Sequence, residues 1–500
     1  MTALLLSRLK RAIGQTGFVT RNRCGRTRED AGASKYFDIV VGASGLSLRR
    51  RLASVAFALV FLHAACASAM PSAAEIDAYF RPYVATNNFS GSVLIKRGRT
   101  VLFARSYGFA DRSKQIPNRL NTRFHIASIS ILFTSTAVLR LIDQGKLSFD
   151  THVSDIVPGV PNGEKINIRE LLEQNSGLPD ANELLNYDEL LSAHQTPQSL
   201  VAQIRGLPPF SEPGGKSLRE EHSGQNLLAL IIERKTGLPF AQAMQNEVFD
   251  PFGLCDSGVD DDSPIDGPVA QGYQLAGTFG LKPAPAIHWS AKTGNGSAYA
   301  TVSDEWKWLQ GFLRGDLLSE SSRKAMLGTG EGEGYGWERA LSARLGETVY
   351  LVGGRSPGFS CFMEYLPSED ITIIALTNIE NAANPLIVQN VAALLLGKPY
   401  QAFSYHKVPF ALVGHPAGDF VFGPDFYRPS ATLSLVSDAS GVTLNWPGGP
   451  AAPLLPIGRD EFIDRFYWIK TTVVRGKDGN PVELDYGKFR GVLRAVPTRN

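Results

Sequence analysis

The sequence predicts an α+β protein: an antiparallel sheet flanked by helices, followed by a small β-barrel or sandwich. Three observations carry this. At 500 residues the chain is too long for one hydrophobic core and is expected to divide. Within 73–397, strand-type runs stand near both ends and helical patterns fill the middle, so the two ends are expected to pair in one sheet. Beyond Pro399 the pattern changes to short strands and tight turns, which in about a hundred residues makes a barrel or sandwich.

The elements follow in chain order. Residues 1–48 are Arg-rich without periodicity. They are read as a leader outside the folded protein, or as a misassigned start with translation beginning between Val41 and Leu48. Arg49-Arg-Arg-Leu-Ala-Ser-Val-Ala-Phe-Ala-Leu-Val-Phe-Leu-His-Ala-Ala-Cys66-Ala67-Ser68-Ala69 has a basic start, an apolar run and a small-x-small end. That is the pattern of a secretory signal peptide over 49–69, cut after Ala69. Its apolar run is too short and too broken for a stable membrane span. Cys66 follows His-Ala-Ala, a poor lipobox, so lipidation is not expected.

A helix is expected from Ala73, then a hairpin: Gly91 to Leu94, a turn at Arg97-Gly98, and Val101 to Ala104. After the helical middle, two closing strands flank Leu366-Pro-Ser-Glu-Asp370, and a helix through Val388 to Leu396 is stopped by Gly397 and Pro399. In 400–500, Thr432–Val436, the turn Asp438-Ala-Ser-Gly441 and Val442–Trp446 form a hairpin pattern. Glu461-Phe-Ile, Tyr467–Val474, the turn Lys477-Asp-Gly479 and Val482–Asp485 continue it.

Composition narrows the function. Hydrophobic content of 43% and charged content of 20% are those of a soluble globular protein. A net charge of +2, with the basic residues concentrated at the start, argues against a polyanionic partner. There is no basic stripe for nucleic acid, no zinc-type His/Cys/Asp spacing, and no phosphate-cradling glycine loop before a helix. No cofactor and no metal are expected. After signal cleavage only Cys255 and Cys361 remain, and they are read as two free, buried thiols.

The stretch Phe124-His-Ile-Ala-Ser128-Ile-Ser130-Ile131-Leu-Phe-Thr134, running on to Gly145, resembles the nucleophile helix of the β-lactamase and penicillin-binding-protein family of serine hydrolases. There the pattern is roughly Phe-x-Ile-Ala-Ser-x-Ser-Lys-x-Phe-Thr, and the first serine attacks an acyl carbonyl. Leu171-Leu-Glu-Gln-Asn-Ser176-Gly177-Leu178 is similar to the family's Leu-Leu-x-His-Thr-Ser-Gly-Leu, with Gln174 at the histidine. Asn226 to Gly237 resembles the helix after the second catalytic motif. Gly294 to Asp304 resembles a glycine-rich turn leading to a helix start, and Pro357 to Asn378 the last two strands. The resemblance implies an antiparallel sheet flanked by helices, plus a helical subdomain, with Ser128 at their junction. For 400–500 it implies the lipocalin-like β-barrel appended to some β-lactamase-related hydrolases.

The same register shows what has changed. Residues three apart on a helix share a face, so the family's lysine sits beside the serine hydroxyl and draws off its proton; that position is Ile131. The tyrosine and asparagine of the second motif fall on Glu220 and His222, and the third motif falls on Val352-Gly353-Gly354, with the glycine kept and the cation gone. Lys235-Thr-Gly237, Lys292-Thr-Gly294, and the Ser-x-x-Lys strings at Ser321 and Ser404 spell the motifs in the wrong setting and are read as chance. His125 is expected to pack or face solvent, and Trp306 and Trp308 to lie in the core or at its rim.

General acid-base catalysis contributes roughly 100- to 10,000-fold, and groups acting as one unit are lost together. The expectation is therefore an exported, β-lactamase-related protein with impaired acyl-transfer chemistry. Its former active-site cleft is expected to bind a peptide, a peptidoglycan fragment or an acyl ligand. The alternative is an active esterase, peptidase or amidase that uses Ser128 with His222 or Glu220 as a rewired base and orienter. Against that alternative, Arg219-Glu220-Glu221-His222 reads equally as a solvated polar loop, and Ser128 as an ordinary helix-start serine.

Overall fold

The computed structural model describes residues 70–215, 221–328, 332–406, 408, 416–449 and 451–494. The leader, the signal-type segment with Cys66, and Glu220 lie outside the described residues.

The first helix, α1 (Ala73–Ala85), opens on a capping box. Ser72 accepts from the Glu75 backbone, and the Glu75 carboxylate accepts from the Ser72 N–H at 2.7 Å. Its Ile76, Phe80 and Tyr83 are buried against one face of a seven-stranded sheet. The hairpin strands are β1 (Gly91–Arg97) and β2 (Thr100–Tyr107). From the other end of the domain come β3 (Gly332–Glu333), β4 (Glu338–Ser342), β5 (Glu347–Ser356), β6 (Phe359–Leu366) and β7 (Ile371–Thr377). The sheet order is β3-β4-β5-β6-β7-β1-β2, antiparallel throughout. Gly91 pairs with Thr377 and Arg97 with Ile371, so the two ends of the domain meet as expected.

Strands β6 and β7 are buried along their whole length. Side chains alternate across a strand, and β7 divides accordingly: Ile373 and Ala375 pack toward α1, Ile374 and Leu376 toward the helical layer on the other face. That layer contains α2 (Ser130–Asp143), α3 (His222–Thr236) and α4 (Val302–Arg314). The face shared with α1 is closed by α5 (Asn384–Leu395), which ends before the left-handed Gly397. The sequence reading named two closing strands; β4 and β5 lengthen that edge.

The C-terminal region is a closed eight-stranded barrel: β8 (Gly418–Phe422), β9 (Thr432–Asp438), β10 (Gly441–Asn445), β11 (Ala451–Pro456), β12 (Glu461–Asp464), β13 (Lys470–Arg475), β14 (Pro481–Tyr486) and β15 (Phe489–Leu493). Phe420 pairs with Leu493 to close it. Phe420, Leu433, Leu444, Leu454, Phe462 and Leu484 fill its interior. Every hairpin read from the sequence is present. Strands β8, β11 and β15 were not foreseen, and β11 carries two prolines that mask its strand pattern.

Candidate functional site

Ser128 sits in a 3-10 turn, Ala127–Ile129, that leads into α2. The turn is held from two sides. Ile126 N–H donates to the Ala298 carbonyl, and Ala298 N–H donates to the Ser130 hydroxyl at 3.1 Å. Ala127 has φ of 50°, a left-handed conformation that non-glycine residues seldom adopt. On the other side, Gly354 of β5 approaches so closely that a Cβ there would lie 2.3 Å from the Ile126 carbonyl and 2.8 Å from the Ser128 nitrogen. The retained glycine of the third motif is thus a matter of space.

Ser128 opens on a cavity of about 630 Å³ that is also lined by Tyr187, His222, Lys292, Gly354 and Arg355. A side pocket of about 120 Å³ continues past Ser128 between Ile131, Gln174, Trp337, Val352 and Phe362. Ile131 is only 6% exposed, and a Cβ on the facing Gly336 would come within 3.1 Å of its Cγ2. The positions where the family places two cations, 131 and 352, therefore form an apolar wall.

His222 lines the cavity at the start of α3, but its Nδ1 lies 2.9 Å from the Asp180 carboxylate. The structure gives the Ser128 hydroxyl no hydrogen bond to it or to any other described residue. The imidazole's carboxylate partner shown here is Asp180, which sequence reasoning did not single out. The adjacent Glu221 is tied elsewhere: it accepts from the Ser176 N–H and hydroxyl and from the Gly177 N–H.

The group most plainly missed is Lys292. Its Lys-Thr-Gly string is not on the family's strand, yet the side chain enters the Ser128 cavity and its Nζ lies 2.9 Å from the Tyr187 hydroxyl. It is 8% exposed and has no carboxylate within ion-pair distance among the described residues. Burial pulls its pKa down to about 8, against the pull of Glu380 and Asp180 in the opposite direction. Burial also pushes the Tyr187 phenol up, aided by Asp180 and Asp188. The loop that carries Lys292 is fixed to both neighbouring helices. Thr134 of α2 donates to the Gly294 carbonyl at 2.7 Å, and Asn226 of α3 donates to the Thr293 carbonyl at 2.6 Å. Gly294, with φ of 88°, fits where a Cβ would be 2.3 Å from the Gln225 carbonyl.

Other expectations resolve as follows. His125 is buried, stacks on Trp289 at 3.8 Å, and meets Asp260 at 2.8 Å; burial holds its pKa low. Trp308 is core, and Trp306 is half-buried beneath the Lys96 ammonium. Both described cysteines are free. Cys361 is buried, which pushes its thiol pKa up, but Cys255 is exposed, correcting the reading of two buried thiols. Cys255 follows the left-handed Gly253 and its turn faces outward. No zinc-type spacing exists in the sequence, yet folding brings His194, Asp262 and His288 together, with ligand atoms within 4.8 Å of one another. Both imidazoles hydrogen-bond the Asp262 carboxylate, at 2.8 and 3.1 Å.

A helix-flanked antiparallel sheet with a serine turn opening on a cleft beside the first motif helix defines the serine-hydrolase-type fold of β-lactamases and penicillin-binding proteins. The Beta-lactamase family model matches residues 76–398, and the chain belongs to that family. It is 28% identical over 317 residues to the penicillin-binding protein PbpX of Bacillus subtilis, a match covering 63% of this chain and 77% of that protein. Among solved structures, a penicillin-binding protein from Bacillus halodurans shares 28% identity at a TM-score of 0.56, over 64% of this chain and 98% of that one. The octameric penicillin-binding protein homologue from Pyrococcus abyssi matches in fold over 84% of this chain and 99% of that one, at 22% identity and a TM-score of 0.59.

Proposed function

We propose that this is an exported β-lactamase-related protein whose Ser128 cleft binds a peptide, a peptidoglycan fragment or an acyl group. It does not turn over β-lactams by the family's lysine route. Ile131 carries this reading: an apolar side chain packed under Gly336 stands where the family keeps its base, so the family's lysine route to the serine is closed. The cleft remains open, and its volume is within the range of small-molecule sites, about 300–1,000 Å³. Export rests on the signal-type segment at 49–69. Among the described residues no helix is long and apolar enough to cross a membrane. The 400–500 region is taken as an appended β-barrel domain.

The test has two arms. Purified protein should neither hydrolyse nitrocefin nor retain a fluorescent penicillin through denaturing electrophoresis. It should bind the tripeptide diacetyl-Lys-D-Ala-D-Ala in a calorimetric titration. A stable Ser128-dependent penicilloyl adduct sinks the first claim, and absence of tripeptide heat at millimolar concentration sinks peptide binding.

A second reading, an active serine hydrolase using Ser128 with His222 or Glu220, has one observation in its favour. His222 faces the same cavity, held by a carboxylate as in hydrolytic triads.

A further inference from the structure

The cleft holds one amine that no family position accounts for. We propose that Lys292, hydrogen-bonded to Tyr187, is the proton acceptor for the Ser128 hydroxyl, and that the cleft cleaves simple carboxylic esters through an acyl-Ser128 intermediate. The proposal deepens the acyl-ligand reading above and rests on it only for the class of substrate.

Four observations converge. Lys292, Tyr187 and Ser128 line one cavity. The Lys292 stem runs beside the serine turn: a Cβ on Gly296 would touch its Cβ and Cδ at 3.3 and 3.4 Å and lie 3.8 Å from the Ala127 carbonyl carbon. The loop is hydrogen-bonded to α2 and α3, so the amine is carried by the same rigid frame as Ser128 and His222. Finally, Ile131 and Val352 leave the two family cation positions beside the serine apolar.

The charge environment suits a base. A lysine with carboxylates in direct contact would stay an ammonium. Lys292 instead contacts a phenol, with Asp180 and Glu380 acting on it through space and His222 and Arg355 facing the same cavity. A proton acceptor works best when its pKa lies near the working pH, and burial has brought this amine down to about 8. Tyr187 stays a neutral phenol whose oxygen accepts from a Lys292 N–H, which orients the amine and leaves its lone pair free for the Ser128 proton.

The reaction balances with an ester and water. The neutral Lys292 amine takes the Ser128 hydroxyl proton as the Oγ–carbon bond forms at the ester carbonyl. The tetrahedral adduct breaks its carbon–oxygen bond to the alcohol, which leaves with the proton from the Lys292 ammonium. Water then attacks the acyl carbon and gives a proton to Lys292. The acid departs as Ser128 Oγ takes that proton back.

The full-length protein is treated with a fluorophosphonate probe between pH 6 and 10, and p-nitrophenyl acetate hydrolysis is followed in parallel with Ser128→Ala as background. The wild-type labelling rate should rise with pH and level off, with a midpoint near 8. Lys292→Met should lower it by roughly 100-fold or more. Lys292→Arg, which keeps the charge but cannot release its proton near neutrality, should lose as much. Tyr187→Phe should move the midpoint and slow labelling about tenfold. Should Lys292→Met fail to fold, as judged by its melt, the arginine and phenylalanine variants decide alone.

A wild-type rate in Lys292→Arg would assign a charge role only and overturn the proposal. So would a pH midpoint that vanishes in His222→Asn but survives the lysine variants. No labelling of wild-type Ser128 at any pH overturns it too, while leaving tripeptide binding intact. Labelling with the stated pH profile but no tripeptide binding does the reverse: it sinks peptide recognition and keeps Lys292.

Discussion

At the scale of a residue, the molecule tolerates a buried acid that no hydrogen bond supports. Glu305, on α4, is completely buried and neither carboxylate oxygen has a hydrogen-bond partner among the described residues. Burial, and then the neighbouring Asp304 charge, raise its pKa from 4.5 to about 8. Below pH 4.5 the group is protonated both folded and unfolded, and its contribution to stability is fully present. Between there and about 8 the unfolded chain gives up a proton that the folded chain keeps, so stability is progressively lost as pH rises. Glu305→Gln removes that loss. Its Tm should exceed that of wild type by an increasing margin from pH 5 to pH 9. Melts that stay parallel across that range would show that Glu305 does not titrate this way. The same sign applies to Glu364, raised to about 7 by burial, so the variant should flatten the pH dependence without abolishing it.

At the scale of elements, two close backbone approaches build the site, and both depend on glycine. Gly354 lets β5 lie against the peptide that carries Ser128, and Gly294 lets the Lys292 loop lie against α3. Gly354→Ala must push β5 or the serine turn outward. The expected cost is about 1–3 kcal/mol of stability, the usual range for overpacking, together with loss of fluorophosphonate labelling at Ser128. Urea melts and gel fluorescence measure the two effects, and an unchanged labelling rate would show that the turn can move without consequence. This dependence also explains what the sequence made legible. The hairpin β1–β2 and strands β6–β7 are local patterns of alternating or continuous apolar residues, and they read directly. So does Ser128, because its whole helix matches a motif. Strand β5 hides behind Gly353-Gly354, whose role appears only when Ile126 and Ser128 are seen against it. Lys292 and Asp180 could not be placed from sequence: the Lys292-Thr-Gly string stands in the wrong setting and reads as chance, and only the fold brings Lys292 into the Ser128 cavity and Asp180 onto the His222 ring. The sequence puts His222 forward with Glu220 as base and orienter; in the structure His222 lines the cavity and its ring meets the Asp180 carboxylate.

At the scale of the whole molecule, a buried cation helps to join the barrel to the sheet domain. Arg465, just after β12, is fully buried and has no carboxylate partner among the described residues; burial brings its pKa down to about 9. Its guanidinium donates instead to the carbonyls of Thr86, Asn87, Gly277 and Gly280 and to the Asn88 side chain. Asn88 returns a hydrogen bond to the Arg465 carbonyl at 3.0 Å. A guanidinium's five fixed donors suit such a set of acceptors, whereas a lysine could satisfy only part of it. The next residue reaches the cleft: Phe466 accepts from Ala382 N–H at 2.7 Å and packs under the Arg355 guanidinium, and both Ala382 and Arg355 line the Ser128 cavity. The barrel therefore props one wall of the candidate site. Hydrogen bonds from a charged donor contribute about 1.5–3 kcal/mol each, so Arg465→Met should release the barrel while leaving both cores intact. Calorimetry should then show two transitions in place of one, limited trypsin digestion should cut between 398 and 417, and affinity for the tripeptide should fall as the Arg355 wall loosens. One unchanged cooperative transition in Arg465→Met would mean that the apolar contacts around Phe466 and Trp468 hold the barrel without it.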